Sequence, residues 1–125
     1  MKLLLDSHAF LWWLADAPDL SRSARSAISD PENIVLVSAA TIWEIEIKRT
    51  LGRLDAGDSD LVAEIEANGF GELPIRARHA EAAARLPRHH EDPFDRMLVA
   101  QSQTEGLVCV TRDPAFGLYG VPCLW

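Results

Sequence analysis

The chain has 125 residues, 48% of them hydrophobic and 25% charged, the balance of a single domain (residues 1–125) able to bury a core without disulfides or a structural metal. Its 12 Lys and Arg against 19 Asp and Glu leave a formal net charge of -7. That argues against a simple basic glove for nucleic acid and against attraction to an anionic membrane surface, but not against an enzyme carrying acidic metal ligands.

In chain order, Leu3–Leu5 is a short continuous apolar run that predicts a strand buried on both faces, ending at Asp6. A helix is expected from Ser7 to about Ala15, before the Pro18 turn. A second runs over Ser21–Ser29, with Ser21 as N-cap and Asp30-Pro31 as its stop. Ile34–Val37 reads as the second buried strand. The helix after it, about Ala39 to Leu51, carries Ile42, Trp43, Ile45, Ile47 and Leu51 at helical spacings and closes at Gly52. Asp58 or Ser59 to Asn68 forms a further helix, Phe70–Ile75 a short strand, and Arg76–Leu86 an alanine-rich helix stopped by Pro87. Asp92 to Glu105 is strongly signalled: Asp92 as N-cap, Pro93 at the first helical position, acidic Asp95 in the first turn and Gly106 past the end. Leu107–Val110 and Val121–Leu124 complete the strands. Strands alternating with helices in this way predict an α/β fold, three layers with a mostly parallel central sheet of four to five strands.

Charge is unevenly placed. Residues 76–125 hold six basic side chains, all arginine, which hints at planar oxyanion recognition. Cys109 and Cys123 sit in apolar runs without CxxC spacing and read as small buried hydrophobes in a reducing compartment. Asp6 and His8 cut the opening apolar run short of a signal peptide, and no stretch reaches membrane-span length, so a cytoplasmic protein is expected.

In an open parallel sheet, functional groups collect beyond the carboxyl ends of the strands. Asp6 ends the first strand, Glu44 lies two turns into the helix after the second, and Asp113 follows the third clean strand. Asp95 opens the helix that feeds that strand. Clustered carboxylates repel unless a cation neutralises them, and hard oxygen ligands suit Mg²⁺ or Mn²⁺ better than zinc. Each acid also has an ordinary reading. Asp6 serves as a cap, Glu44 as the i,i+4 partner of Lys48, Asp95 as a favourable charge at a helix start, and Asp113 as the cap of a short helix from Pro114. Both readings stand at this level.

Four segments carry a resemblance. Leu3-Leu-Leu-Asp6-Ser-His-Ala-Phe-Leu-Trp-Trp-Leu14, Ser38-Ala-Ala-Thr-Ile-Trp-Glu44-Ile-Glu-Ile-Lys48 with Leu51-Gly-Arg-Leu54, Asp92-Pro-Phe-Asp95-Arg-Met-Leu-Val-Ala-Gln101 and Val110-Thr-Arg-Asp113 resemble, in order, the motifs of PIN-domain ribonucleases. Among these the chain is most similar to the VapC toxins of bacterial VapBC toxin–antitoxin pairs. The resemblance implies a metal-dependent endoribonuclease with Asp6, Glu44, Asp95 and Asp113 as catalytic and metal-binding acids. Mg²⁺ is the implied cofactor, with Mn²⁺ able to replace it, and RNA the substrate. It also implies a VapB-type antitoxin that covers the active-site groove, and a toxin homodimer. Asp92 keeps its capping role.

Ser7 and Thr111 could orient carboxylates, and Lys48 and Arg112 could meet phosphate or pair with nearby acids. His89-His90, beside Arg88, offers a metal or RNA contact, but without a spaced partner it reads as a solvated loop, and His79 and His8 lack such a partner in the same way. Trp12 and Trp13 require a wide buried face, or else one of them lines an interface. Two rivals remain. A HAD-type Mg²⁺-dependent phosphatase needs a second Asp two residues after the first, where this chain has His8; a non-catalytic binding module would not lose metal stabilisation when Asp6 and Asp95 become Asn.

Overall fold

The computed structural model describes residues 1–54 and 57–125. Among them, the short apolar runs form β1 (Lys2–Leu5), β2 (Ile34–Ser38), β3 (Gly71–Leu73), β4 (Val108–Val110) and β5 (Cys123–Leu124). The strands lie in the order β3-β2-β1-β4-β5, and each neighbouring pair is parallel. In register, Leu5 of β1 faces Val37 of β2 on one side and Val110 of β4 on the other. The helices are α1 (Ser7–Leu14), α2 (Arg22–Ser29), α3 (Ala39–Thr50), α4 (Leu61–Ala67), α5 (Ala77–Arg85) and α6 (Pro93–Glu105), followed by a 3-10 turn at Pro114–Tyr119.

The pleat divides the core. Leu3, Leu5, Val35, Val37 and Val110 pack with Phe10 of α1, Ile28 of α2 and Ile65 of α4. Leu4 and Cys109 point the other way, onto Leu98 and Val99 of α6 and Phe116 of the 3-10 turn. Because β1 and the middle of β2 and β4 are covered on both faces, their residues need no polar alternation. The result is the α/β/α layering expected from the sequence.

Side-chain caps fix where the helices start. Asp6, Ser21, Ser38, Asp60 and Asp92 each accept a backbone N–H at the head of α1, α2, α3, α4 and α6. Gly106 ends α6 in the left-handed conformation, with φ of 68°, which a side chain would strain. The boundaries that differ from expectation have local causes. α4 starts at Leu61 because Asp60, rather than Asp58 or Ser59, caps it through Ala63 N–H. β3 is confined to Gly71–Leu73, since Pro74 has no N–H to continue the ladder. Cys123 is exposed on edge strand β5, so the expectation of two buried cysteines holds only for Cys109. Trp43 in α3 and Leu51, its C-cap, follow the helical spacing yet stay exposed.

Arg96 of α6 is committed to structure. Its guanidinium donates to the carbonyls of Ala83, Leu86, Pro87 and His90, tying the end of α5 and the following loop onto α6. The order of connections reverses beside β1, with β2 and β3 on one side and β4 and β5 on the other. Open α/β sheets place their ligand crevice at such a reversal, beyond the strand carboxyl ends.

Candidate metal centre

The crevice at that position is a cleft of about 110 Å³, lined by Asp6, Glu44, Asp92, Asp95 and Asp113 together with Ser7, His8 and Lys48. All four acids singled out in the sequence reach it, from the ends of β1 and β4, the second turn of α3 and the first turn of α6. Most of their ordinary readings hold as well.

Asp6 caps α1 through Oδ1, which accepts Ala9 N–H at 2.8 Å. Burial pushes its carboxyl above the usual carboxylate range, against the opposing pull of hydrogen bonds from the Thr111 hydroxyl and Ala9. Glu44 is buried and doubly held. Oε1 accepts the Ser7 hydroxyl, and Oε2 accepts Lys48 Nζ at 2.9 Å. The ammonium is held above the ordinary lysine range, chiefly by this hydrogen bond. Thr111 is thus an orienting group for Asp6, Ser7 one for Glu44, and Lys48 belongs to an ion pair.

Asp113 divides its oxygens: Oδ1 accepts Ala115 N–H at 2.9 Å and caps the 3-10 turn, while Oδ2 lies 2.9 Å from His90 Nε2. Asp95 is the outlier of the set. Burial, then the charges of Asp92 and Glu44, push its carboxyl up to about 7. These are the marks of a carboxylate held in place without enough positive charge around it.

One member of the site was raised and then set aside at the level of sequence. His90 is not a solvated loop residue: its Nε2 lies 2.9 Å from Asp113 Oδ2 and 3.1 Å from Asp95 Oδ2. The donor atoms of His90, Asp95 and Asp113 lie within 4.8 Å of one another, a trio able to hold a metal ion. The local signal was the position of His90, two residues before the Asp92 cap, from which a side chain can turn back to the head of α6. His89 does stay exposed, edge-on to Tyr119. His79 is buried outside the cleft; Nδ1 accepts Arg76 N–H at 3.0 Å and Nε2 pairs with Glu105 at 2.8 Å.

Beside the cleft, Trp12 and Trp13 are both half-buried, as a wide core-facing stripe requires. Trp13 donates its ring N–H to Asn68 and packs on Phe70. Trp12 stacks on exposed His8 with ring centroids 5.2 Å apart, and the Arg112 guanidinium lies 4.5 Å from its ring centre. Arg112 therefore rests on an aromatic face rather than in a carboxylate pair.

The donor set fits a hard divalent cation: several carboxylates from separate elements, one pushed up toward neutrality, and oxygen chemistry with a neighbouring imidazole. The PIN domain family model matches residues 3–121, and the chain belongs to that family, whose members are in general metal-dependent nucleases. The solved structures it is similar to include VapBC2 of Rickettsia felis bound to a promoter DNA fragment, at 10% identity and TM-score 0.72, covering 98% of this chain and 97% of that one. FitAcB of Neisseria gonorrhoeae follows at 17% identity and TM-score 0.62, covering 97% and 95%. VapBC-5 of the VapBC toxin–antitoxin family from Mycobacterium tuberculosis is 18% identical with TM-score 0.59, covering 98% and 96%. No curated protein sequence matches the chain. Among the described residues, no helix is long and apolar enough to cross a membrane.

Proposed function

We propose that the chain is a VapC-type toxin, a Mg²⁺- or Mn²⁺-dependent endoribonuclease that hydrolyses RNA phosphodiester bonds in the cytoplasm. The observation that carries this is the convergence of Asp6, Glu44, Asp95 and Asp113, from four elements, on one small cleft where Asp95 is pushed up to about 7. A divalent cation bound there supplies an acidified water and neutralises charge on the phosphate and leaving oxygen. Asp6, Asp95 and Asp113 are the residues to hold it. Glu44, already paired with Lys48, acts from the far wall and sets the charge that the cation meets.

The chain's own work is positioning. The Ala9 N–H and Thr111 hydroxyl fix the Asp6 carboxylate, Ala115 N–H fixes Asp113, and the Ser7 hydroxyl fixes Glu44, so the acids are ordered before any ligand arrives. The exposed Arg112, braced on Trp12, lies close enough in sequence to Asp113 to offer its guanidinium to an RNA phosphate.

A VapB-type antitoxin is the proposed neutralising partner, supported by the toxin–antitoxin complexes among the structural neighbours; self-association as a homodimer completes the proposal. The membership of the PIN family sets aside the HAD-type phosphatase. The deciding experiment is incubation of purified, antitoxin-free protein with total RNA and Mn²⁺ or Mg²⁺. Discrete metal-dependent cleavage, lost in Asp6→Asn and Asp95→Asn, is expected. Absence of cleavage at every metal concentration overturns the catalytic reading, and equal activity in both variants assigns it to another site or a contaminant.

A further inference from the structure

The backbone and ring face of His90 are held by groups outside the four acids. Its backbone N–H donates to the Tyr119 hydroxyl at 2.8 Å, and that hydroxyl donates in turn to Pro87 O at 2.8 Å. Its carbonyl accepts from Arg96, and its ring stands edge-on to Phe116 with centroids 6.3 Å apart. The ring nitrogens are then set by a simple count. Asp92 N–H donates to Nδ1 at 3.1 Å, so Nδ1 presents its lone pair. A neutral imidazole has one such lone pair, and the proton must therefore be on Nε2. That nitrogen donates to Asp113 Oδ2 and faces Asp95 Oδ2.

A metal can bond Nε2 only through a lone pair, which would require the proton on Nδ1, directly against the Asp92 N–H. We propose that His90 is a positioning residue and not a metal ligand: its Nε2–H clamps the carboxylates of Asp113 and Asp95 into the geometry that receives the cation. The proposal rests on the metal-site reading above. It reverses what proximity alone suggests, because the atom nearest both acids is a donor. Asp92 thereby has two tasks: its side chain caps α6 through Phe94 and Asp95 N–H, while its own N–H selects the tautomer of the ring two residues earlier.

The test compares wild-type protein with His90→Ala and His90→Gln, at one fixed pH above the ordinary histidine range. Mn²⁺ affinity is measured by calorimetry, and the histidine tautomer by long-range proton–nitrogen NMR with and without Mg²⁺. Wild type is expected to show the Nε2–H form of His90 in both states. His90→Ala is expected to weaken Mn²⁺ binding by about ten- to a hundredfold, the range for an outer partner that orients ligands. His90→Gln places an amide N–H₂ near the Nε2 position and is expected to restore most of that loss. Loss of the Nε2 proton on adding Mg²⁺ makes His90 a ligand and overturns the proposal. So does wild-type affinity in His90→Ala, or a His90→Gln as weak as His90→Ala. If His90→Ala does not fold, the wild-type tautomer and the Gln variant decide. Wild-type protein that binds neither ion removes the metal-site reading and this proposal together; metal binding indifferent to His90 removes the proposal alone.

Discussion

The two walls of the cleft are built from the same kind of side chain and stand in opposite electrostatic states. On the α3 wall, buried Glu44 has a hydroxyl on one oxygen and an ammonium on the other, and its charge is matched within the protein. On the α6 wall, Asp95 faces Asp92, Glu44 and Asp6 with the His90 imidazole 3.1 Å away, while the Lys48 ammonium in the same cleft is paired with Glu44, and the Asp95 carboxyl rises to about 7. Burial alone does not separate them, since Glu44 is the more buried. What separates them is that a lysine ammonium is hydrogen-bonded to Glu44, whereas Asp95 stands against other carboxylates.

The largest expected effect comes from removing the unmatched charge. Asp95→Asn is expected to lower RNA cleavage by about a thousandfold, several kcal/mol of transition-state stabilisation, as measured by single-turnover cleavage of a defined RNA. The same substitution is expected to raise the melting temperature of the metal-free protein at neutral pH, because it removes a carboxylate that the fold disfavours.

The matched wall breaks differently. Lys48→Met leaves Glu44 buried with a hydroxyl alone. It is expected to cost about 1–2 kcal/mol in denaturant unfolding, a figure kept low because Lys48 is itself partly exposed. Added Mn²⁺ is expected to recover more stability in this variant than in wild type, and equal recovery would mean that Glu44 does not feel the cation.

The pH dependence sharpens the contrast further. Asp95 is protonated in the native state up to about 7, against 3.8 as the ordinary value, so between these the folded chain binds more protons than the unfolded one. Its contribution is therefore full at low pH and lost as pH rises toward 7. Metal-free wild-type protein is expected to lose stability across that window relative to Asp95→Asn. Saturating Mn²⁺ is expected to reverse the slope, since binding favours the ionised form.

The smallest effect concerns Arg112. Arg112→Ala is expected to weaken RNA binding modestly and to reduce the salt dependence by about 0.7 in the log–log slope, one phosphate contact on a single strand. An unchanged slope would remove Arg112 from the RNA path.

The parts of this site that the sequence made legible are those tied to element boundaries. Asp6 and Asp113 stand where strands end and Glu44 is two turns from a clear N-cap, so the chain order already places them at one end of a sheet, whereas Asp95, at a helix start, needed the tertiary fold to join them. His90 lay beyond that logic. It sits in a loop whose path depends on Tyr119 and Arg96, contacts that no periodicity announces. Cys123 failed for a related reason: its apolar neighbours predict a strand, but only the strand order shows that β5 is an edge. Trp43 and Leu51 keep the helical period on a face that the chain leaves uncovered.

The four carbonyls gathered by Arg96 carry one more implication. Helix α5 contributes no side chain to the cleft, yet the Arg96 guanidinium ties its last turn and the loop beyond it to α6. The imidazole between Asp95 and Asp113 thus inherits its coordinates from a helix on the outside of the molecule. A drift in the length of α5, or an exchange of Arg96 for lysine with its single-point ammonium, would be felt first as a misaligned ring in the cleft. The α6 wall of the cleft is gauged from behind.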